Sequence, residues 1–140
     1  MAAQFALMAV ILALGAVRPI WHDWIRATGI AVMLLGAAIA IWAGRAMGSS
    51  LTPFPRPRAD GALVERGPYA IVRHPIYAAG TLFFLGYGLV ASIPATVATA
   101  ALAILWHFKA DVEERHLVEQ FPAYDEYRRR VPRRILPFLL

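Results

Sequence analysis

Two short stretches of this 140-residue chain gather the side chains that could do chemistry. In the run GPYAIVRHPIYAAG, residues 67–80, Tyr69, Arg73, His74, Pro75, Ile76 and Tyr77 stand at the edge of the longest uncharged segment. Proline in the first turn of a helix costs nothing, because its missing N–H would have had no partner there. That same N-terminus attracts anions, and Arg73 and His74 add donors beside it. The second stretch, WHFKADVEERH at 106–116, holds Lys109, Glu113 and Glu114. If one helix carries it, Trp106, Lys109, Glu113, His116 or Leu117, and Gln120 fall on a single face. Each stretch also has a plainer reading. The first serves equally as an interfacial anchor, and the second as a solvated helix with Lys109–Glu113 and Asp111–Arg115 pairs.

The elements that must position these residues are apolar. Hydrophobic residues make up 59% of the chain and charged residues 16%, which marks an integral membrane protein of one domain. Residues 1–17 are uncharged and form a first span, expected to be retained because a signal peptide's positive leading region is missing. The segment between Arg26 and Arg45 is a second span, with Gly36, Ala40 and Gly44 spaced for close helix approach. From Pro75 to Trp106 there are 32 residues without charge or histidine, too many for one crossing. Ser92-Ile93-Pro94 breaks them into a hairpin of 77–92 and 94–110, with Gly80, Gly86 and Gly88 on one arm facing Ala95, Thr99 and Ala103 on the other. The expected fold is all-α, with four transmembrane helices (2–17, 27–46, 77–92, 94–110), a loop at 47–76 and a tail at 111–140 that includes an amphipathic helix.

Charge sets the orientation. Of 14 Lys and Arg residues, Arg18 and Arg26 lie between the first two spans, five lie from Arg45 to Arg73, and seven from Lys109 onward. The excess places the 45–76 loop, the tail and both termini in the cytoplasm, with a bacterial inner membrane as the expected setting. Trp21 and Trp24 then anchor the outer loop, with His22 between them. The basic residues flank apolar runs instead of alternating with aromatics along a stripe, so the expected partners are membrane lipids and not nucleic acid. The small-residue faces make a homodimer an option. With no cysteine in the chain, disulfides, zinc–thiolate sites and cysteine nucleophiles are excluded. A metal site from His107, Asp111, Glu114 and His116 fits helical spacing, but solvation explains the same residues, and no metal is expected. The loop 47–72 contains Pro53, Pro55, Pro57 and Pro68, whose fixed φ favours an extended path that leaves the backbone around Gly61, Ala62, Leu63 and Val64 open to a ligand.

Taken together, G-P-Y-x-x-V-R-H-P-x-Y-x-x-G (67–80) and E-E-x-x-L-x-x-x-F-x-x-Y-x-x-Y-x-x-x-V-P-R (113–133) resemble the isoprenylcysteine carboxyl methyltransferase family and its phospholipid methyltransferase relatives. The resemblance covers about the last 80 residues and implies a membrane enzyme that uses S-adenosylmethionine on the cytoplasmic side to methylate a lipophilic or lipidated acceptor. The acceptor classes it brings are an isoprenylcysteine-like carboxylate, a phospholipid amine and a small thiol. By motif position the cofactor contacts fall on Gly61, Ala62, Leu63, Val64, Tyr69, Arg73, His74, Pro75, Ile76, Tyr77 and Glu113. Glu113 would offset the cofactor's amino end, His74 and nearby N–H groups would hold its carboxylate, and Tyr69 or Tyr77 would face the sulfonium. Lys109 stands where the isoprenylcysteine enzymes have a substrate-facing arginine; lacking the planar fork, it counts against a carboxyl acceptor. Pro122 replaces a glycine found in many relatives. If the acceptor must lose a proton, His74, His107 and Glu114 are the candidates, so the expected catalytic residues are His74, Lys109 and Glu114. The alternatives are an NADPH-dependent isoprenoid or sterol-type membrane reductase and a non-catalytic helical membrane subunit.

Overall fold

The computed structural model describes residues 2–16, 22–50 and 62–135. Every regular element among them is helical: α1 (Ala2–Leu14), α2 (Asp23–Met47), α3 (Pro75–Ala91), α4 (Ile93–Gln120) and α5 (Tyr124–Arg130), with short 3-10 turns at Gly48–Ser50 and Gly67–Ala70. α2 and α4 are long and apolar enough to cross a membrane, and α1 and α3 are shorter apolar helices. α2 begins four residues before the expected 27, since Asp23 in its first turn suits the positive end of the helix dipole. α4 runs ten residues past 110 on a sequence of good helix formers, so the ladder of ionisable groups is carried on the same helix as the apolar run.

The helices pack in the order α2, α3, α4, α1. Glycines set the α2–α3 crossing. A Cβ on Gly36 would come within 2.6 Å of the Phe83 nitrogen, and one on Gly86 within 2.4 Å of the Met33 nitrogen. The sequence expectation needs correction here: Gly86 faces α2 and not α4, Gly29 joins the contact, and Gly44 has nothing within 4 Å of a Cβ. Across the hairpin, Gly88 lies against Thr96 and Gly80 against Trp106 as expected of small residues, while Thr99 Oγ1 donates to the Phe84 carbonyl. Ser92 caps α4 by accepting from Ala95 N–H and donates its hydroxyl to the Leu14 carbonyl, which ties the end of α1 to the hairpin tip. Gln4, at the other end of α1, reaches Lys109, so α1 and α4 run antiparallel. Residue 4, residues 47–50, the start of α3 and residue 109 therefore share one end of the bundle.

α5 turns its apolar side inward, toward the loop and the end of α4. Tyr124 and Tyr127, with Val131, are buried against Leu63, Leu117 and Phe121, while Arg128, Arg129 and Arg130 point outward. Gly67, at a φ of 63° that disfavours side chains, opens the turn that buries Tyr69.

Candidate active site

The start of α3 is held by the chain's own C-terminal segment. Arg73 N–H donates to the Arg133 carbonyl at 3.0 Å and His74 N–H to the Arg134 carbonyl at 2.8 Å. These two donors are therefore spent internally, against the expectation that they greet a ligand. The Arg73 side chain is likewise committed: its Nε reaches Glu114 Oε1 at 2.9 Å, and one Nη reaches the carbonyls of Val131 and Pro132 at 2.8 and 2.7 Å. Arg73 acts as a clamp.

His74 lies between the two adjacent glutamates of α4. Its Nε2 is 3.0 Å from Glu114 Oε1 and its Nδ1 is 3.5 Å from Glu113 Oε2. Burial pushes the imidazole toward neutrality, but hydrogen bonds and charge from both carboxylates outweigh it and raise its pKa, favouring the imidazolium. Glu114 also accepts from Arg134 Nε at 3.2 Å, and Arg134 in turn pairs with Asp111. Burial would raise the Glu114 pKa; hydrogen bonds from His74, Arg73 and Arg134 win and hold it at about 2. Beside it, the Tyr124 hydroxyl is buried and has no hydrogen-bond partner among the described residues.

Glu113 is the looser carboxylate, with its side chain 17% exposed against 7% for Glu114. It accepts from the Tyr77 hydroxyl at 2.5 Å, and Lys109 Nζ stands 3.9 Å away. Lys109 also donates to Gln4 at 2.9 Å and lies 5.3 Å above the Tyr77 ring. The rings of His74, Tyr77 and Trp106 stack in sequence at 5.6 and 5.7 Å, running from the polar cluster into the apolar core. Gly80 makes room for that stack, since its Cβ would meet Trp106 at 2.4 Å.

The structure thus brings together His74, Tyr77, Lys109, Glu113, Glu114 and Arg73. It places the others nearby or elsewhere. Tyr69 is buried with its hydroxyl on Met47 Sδ and its carbonyl accepting from Tyr127. Pro75 is buried at the first turn of α3 and Ile76 half-buried beside it. Ala62 is tied to Ser50 Oγ, Leu63 packs on the Tyr124–Tyr127 cluster, and Val64 is half-buried. Gly61, with Pro53, Pro55 and Pro57, lies outside the described residues, as do Arg18 and Trp21. His107 is exposed on the outer face of α4 and does not join the cluster. The Asp111–Arg115 pair is replaced by Asp111–Arg134. Among the described residues no three His, Asp or Glu groups gather closely enough to hold a metal ion. An open cleft of about 430 Å³, lined by Asp111, Glu114, Arg115, Glu119, Arg128 and Arg134, adjoins the cluster through Glu114 and does not reach His74 or Glu113.

Residues missed from the sequence are Gln4 and Arg134. Gln4 is the one polar residue in α1, a signal that was available. Arg134 follows from the return of the C-terminal segment, which no local pattern encodes.

The model of a family described as phospholipid methyltransferase matches residues 24–124. The cobalt-zinc-cadmium resistance protein CzcN of Cupriavidus metallidurans is 39% identical over 77 residues, covering 54% of this chain and 36% of that protein. The nickel-cobalt-cadmium resistance protein NccN of Alcaligenes xylosoxydans is 31% identical over 119 residues, 80% of this chain and 52% of that protein. Protein-S-isoprenylcysteine O-methyltransferase B of Arabidopsis thaliana is 32% identical over 117 residues, 79% of this chain and 59% of that protein. The solved structure of a eukaryotic intramembrane Ras methyltransferase, isoprenylcysteine carboxyl methyltransferase, matches with a TM-score of 0.74 at 25% identity, over 96% of this chain and 48% of that one. The chain spans between 36% and 59% of the length of these curated relatives.

Proposed function

Since the chain belongs to the phospholipid methyltransferase family, we propose that it transfers a methyl group from S-adenosylmethionine to a lipophilic acceptor at the cytoplasmic face of a membrane. The observation that carries this reading is the meeting of His74 and Glu113, from two motifs 39 positions apart in sequence, at the polar end of an apolar bundle. In the proposed topology all four apolar helices cross the bilayer with both termini inside, a reading supported by the shared end of residue 4, residue 109 and the start of α3.

The residues present fit the cofactor at Glu113 and Tyr77. Glu113 is partly reachable, and its contacts to His74 and Lys109 are long, so its carboxylate can receive an ammonium group. The Tyr77 ring is stacked between His74 and Trp106, so its part at the cofactor is the hydroxyl that holds Glu113 and not a ring face. Arg73 is mostly committed elsewhere, since its Nε and one Nη are engaged with Glu114 and the C-terminal carbonyls, which leaves its other Nη to meet a ligand. When bound, S-adenosylmethionine supplies a methyl carbon already activated on positive sulfur. What this chain adds is alignment, which in intramolecular analogues accounts for about 7–11 kcal/mol of a barrier.

His74 and Glu114 are poor proton acceptors in this setting. Two carboxylates raise the pKa of the imidazole, which favours its already carrying a proton, and three donors hold Glu114 at about 2. In this reading both form the frame that orients Glu113, whereas the sequence names them, with His107, as candidates should the acceptor need to lose a proton. Lys109 presents a cation at the bilayer end of the ladder. With a cation and, among the described residues, no open base in the cluster, the site favours an acceptor that arrives as an anion over a phospholipid amine, and because Lys109 lacks arginine's fork a thiolate suits it better than a carboxylate.

The test is incubation of membranes containing the chain with cofactor labelled on its methyl carbon, followed by organic extraction. Label in a lipid-soluble product, absent with Glu113→Ala, supports the reading. Extracts no more labelled than membranes without the chain overturn it.

A further inference from the structure

Resting on the methyl-transfer reading, we propose that Gln4 is a positioning residue that holds the Lys109 ammonium in place for the incoming acceptor. α1 reads AAQFALMAVILAL, and Gln4 is its single polar side chain. It is 8% exposed and belongs to the stripe with Leu7, Met8, Ile11 and Leu14 that packs into the core. An apolar residue would serve packing alone at that position, because an amide buried in an apolar helix is costly without a hydrogen bond. Gln4 has that bond: its Oε1 accepts from Lys109 Nζ at 2.9 Å.

The partner is equally particular. Among 14 Lys and Arg residues, Lys109 is the one lysine. Its ammonium is 5.3 Å from the centroid of the Tyr77 ring and 3.9 Å from Glu113 Oε1, with Gln4 on the α1 side. A neutral amide fixes an ammonium without cancelling its charge, whereas a carboxylate there would neutralise it. If Glu113 turns to the cofactor's amino group, Lys109 loses the attraction on one side, and Gln4 keeps the cation in register. α1 thereby becomes a wall of the acceptor's approach, and its contribution is orientation of Lys109, not contact with the reacting atoms.

The single lysine gives a direct readout. The 140-residue chain grown with lysine labelled with carbon-13 at Cε, in detergent, shows one lysine Cε resonance. Gln4→Leu shifts that resonance if the contact exists, whatever the chain's activity. In labelled-methyl transfer to lipids extracted from the host membranes, Gln4→Leu lowers turnover about tenfold, as loss of a hydrogen bond to a charged group implies. The dissociation constant of S-adenosylhomocysteine stays within about twofold, and the Gln4→Leu/Lys109→Met double variant is no slower than Lys109→Met, since Gln4 acts through Lys109. Gln4→Glu, which neutralises the cation, fails to restore turnover. An unmoved resonance, multiplying losses in the double variant, or equal losses of cofactor affinity and turnover would each overturn the proposal. If the wild-type chain transfers no methyl group, the functional reading has failed, and the resonance alone judges the Gln4–Lys109 contact.

Discussion

Replacing Glu114 by glutamine isolates the charge that organises the cluster. Glu114 Oε1 accepts from Arg73, His74 and Arg134 at 2.9, 3.0 and 3.2 Å, on a side chain 7% exposed. Glutamine keeps the shape and removes the anion, leaving three donors to share one neutral amide oxygen. Arg73 still has the Val131 and Pro132 carbonyls, and Arg134 still has Asp111. The loss should therefore fall at the low end of what breaking a buried ion pair costs, about 3 kcal/mol. At roughly 2–4 °C per kcal/mol for a chain near this size, melting should drop by about 10 °C. The pH dependence follows from the same contact. Glu114 titrates at about 2 in the fold against an ordinary 4.5, so its contribution is complete above 4.5 and disappears as pH falls toward 2. More than half of the difference between wild type and Glu114→Gln should have closed by about pH 3. Tryptophan-fluorescence melting of both proteins in detergent, from neutral pH downward, measures it. Equal melting at pH 7, or a gap that survives acidification, would refute the reasoning.

Gly36→Ala should destabilise the bundle by about 1–3 kcal/mol, because the new methyl meets the Phe83 and Ala79 backbone at 2.6 and 2.7 Å. Gly44→Ala, with open space around it, is the matched control in the same melting assay and should show no loss. Tyr127→Phe should cost about 1–2 kcal/mol by depriving the buried Tyr69 carbonyl of its donor, whereas Tyr124→Phe, whose hydroxyl has no partner, should be neutral or mildly stabilising. His74 carries a raised pKa from its two carboxylates, so its contribution is complete below 6.5 and is lost as pH rises through the higher folded value. Wild-type melting should accordingly decline as pH rises above 6.5, and His74→Gln should lack that component.

The sequence disclosed the helical elements and the meeting of the two motifs for identifiable reasons. Long uncharged runs leave the backbone little choice but helix, and Ser92 before Pro94 is a cap followed by a residue that suits a first turn. Helical spacing put Trp106, Lys109 and Glu113 on one face, and the structure keeps them there around Tyr77. Small residues announced close packing without saying against which neighbour: Gly86 looks the same in sequence whether it meets α2 or α4. The division of labour between Glu113 and Glu114 was hidden for a similar reason. Adjacent positions on a helix point about 100° apart, and only the return of residues 131–134 decides which carboxylate the arginines enclose.

The central claim is that the turn before α3 and the acidic pair on α4 together hold S-adenosylmethionine. Calorimetric titration of the purified chain in nanodiscs with S-adenosylhomocysteine, alongside folded His74→Ala and Glu113→Ala variants, tests it most directly. Saturable binding to the wild type that both substitutions weaken at least about tenfold is the expected result, matching loss of charge-assisted contacts. Wild-type protein that takes up no S-adenosylhomocysteine, or variants that bind it as tightly as the wild type, would contradict the claim.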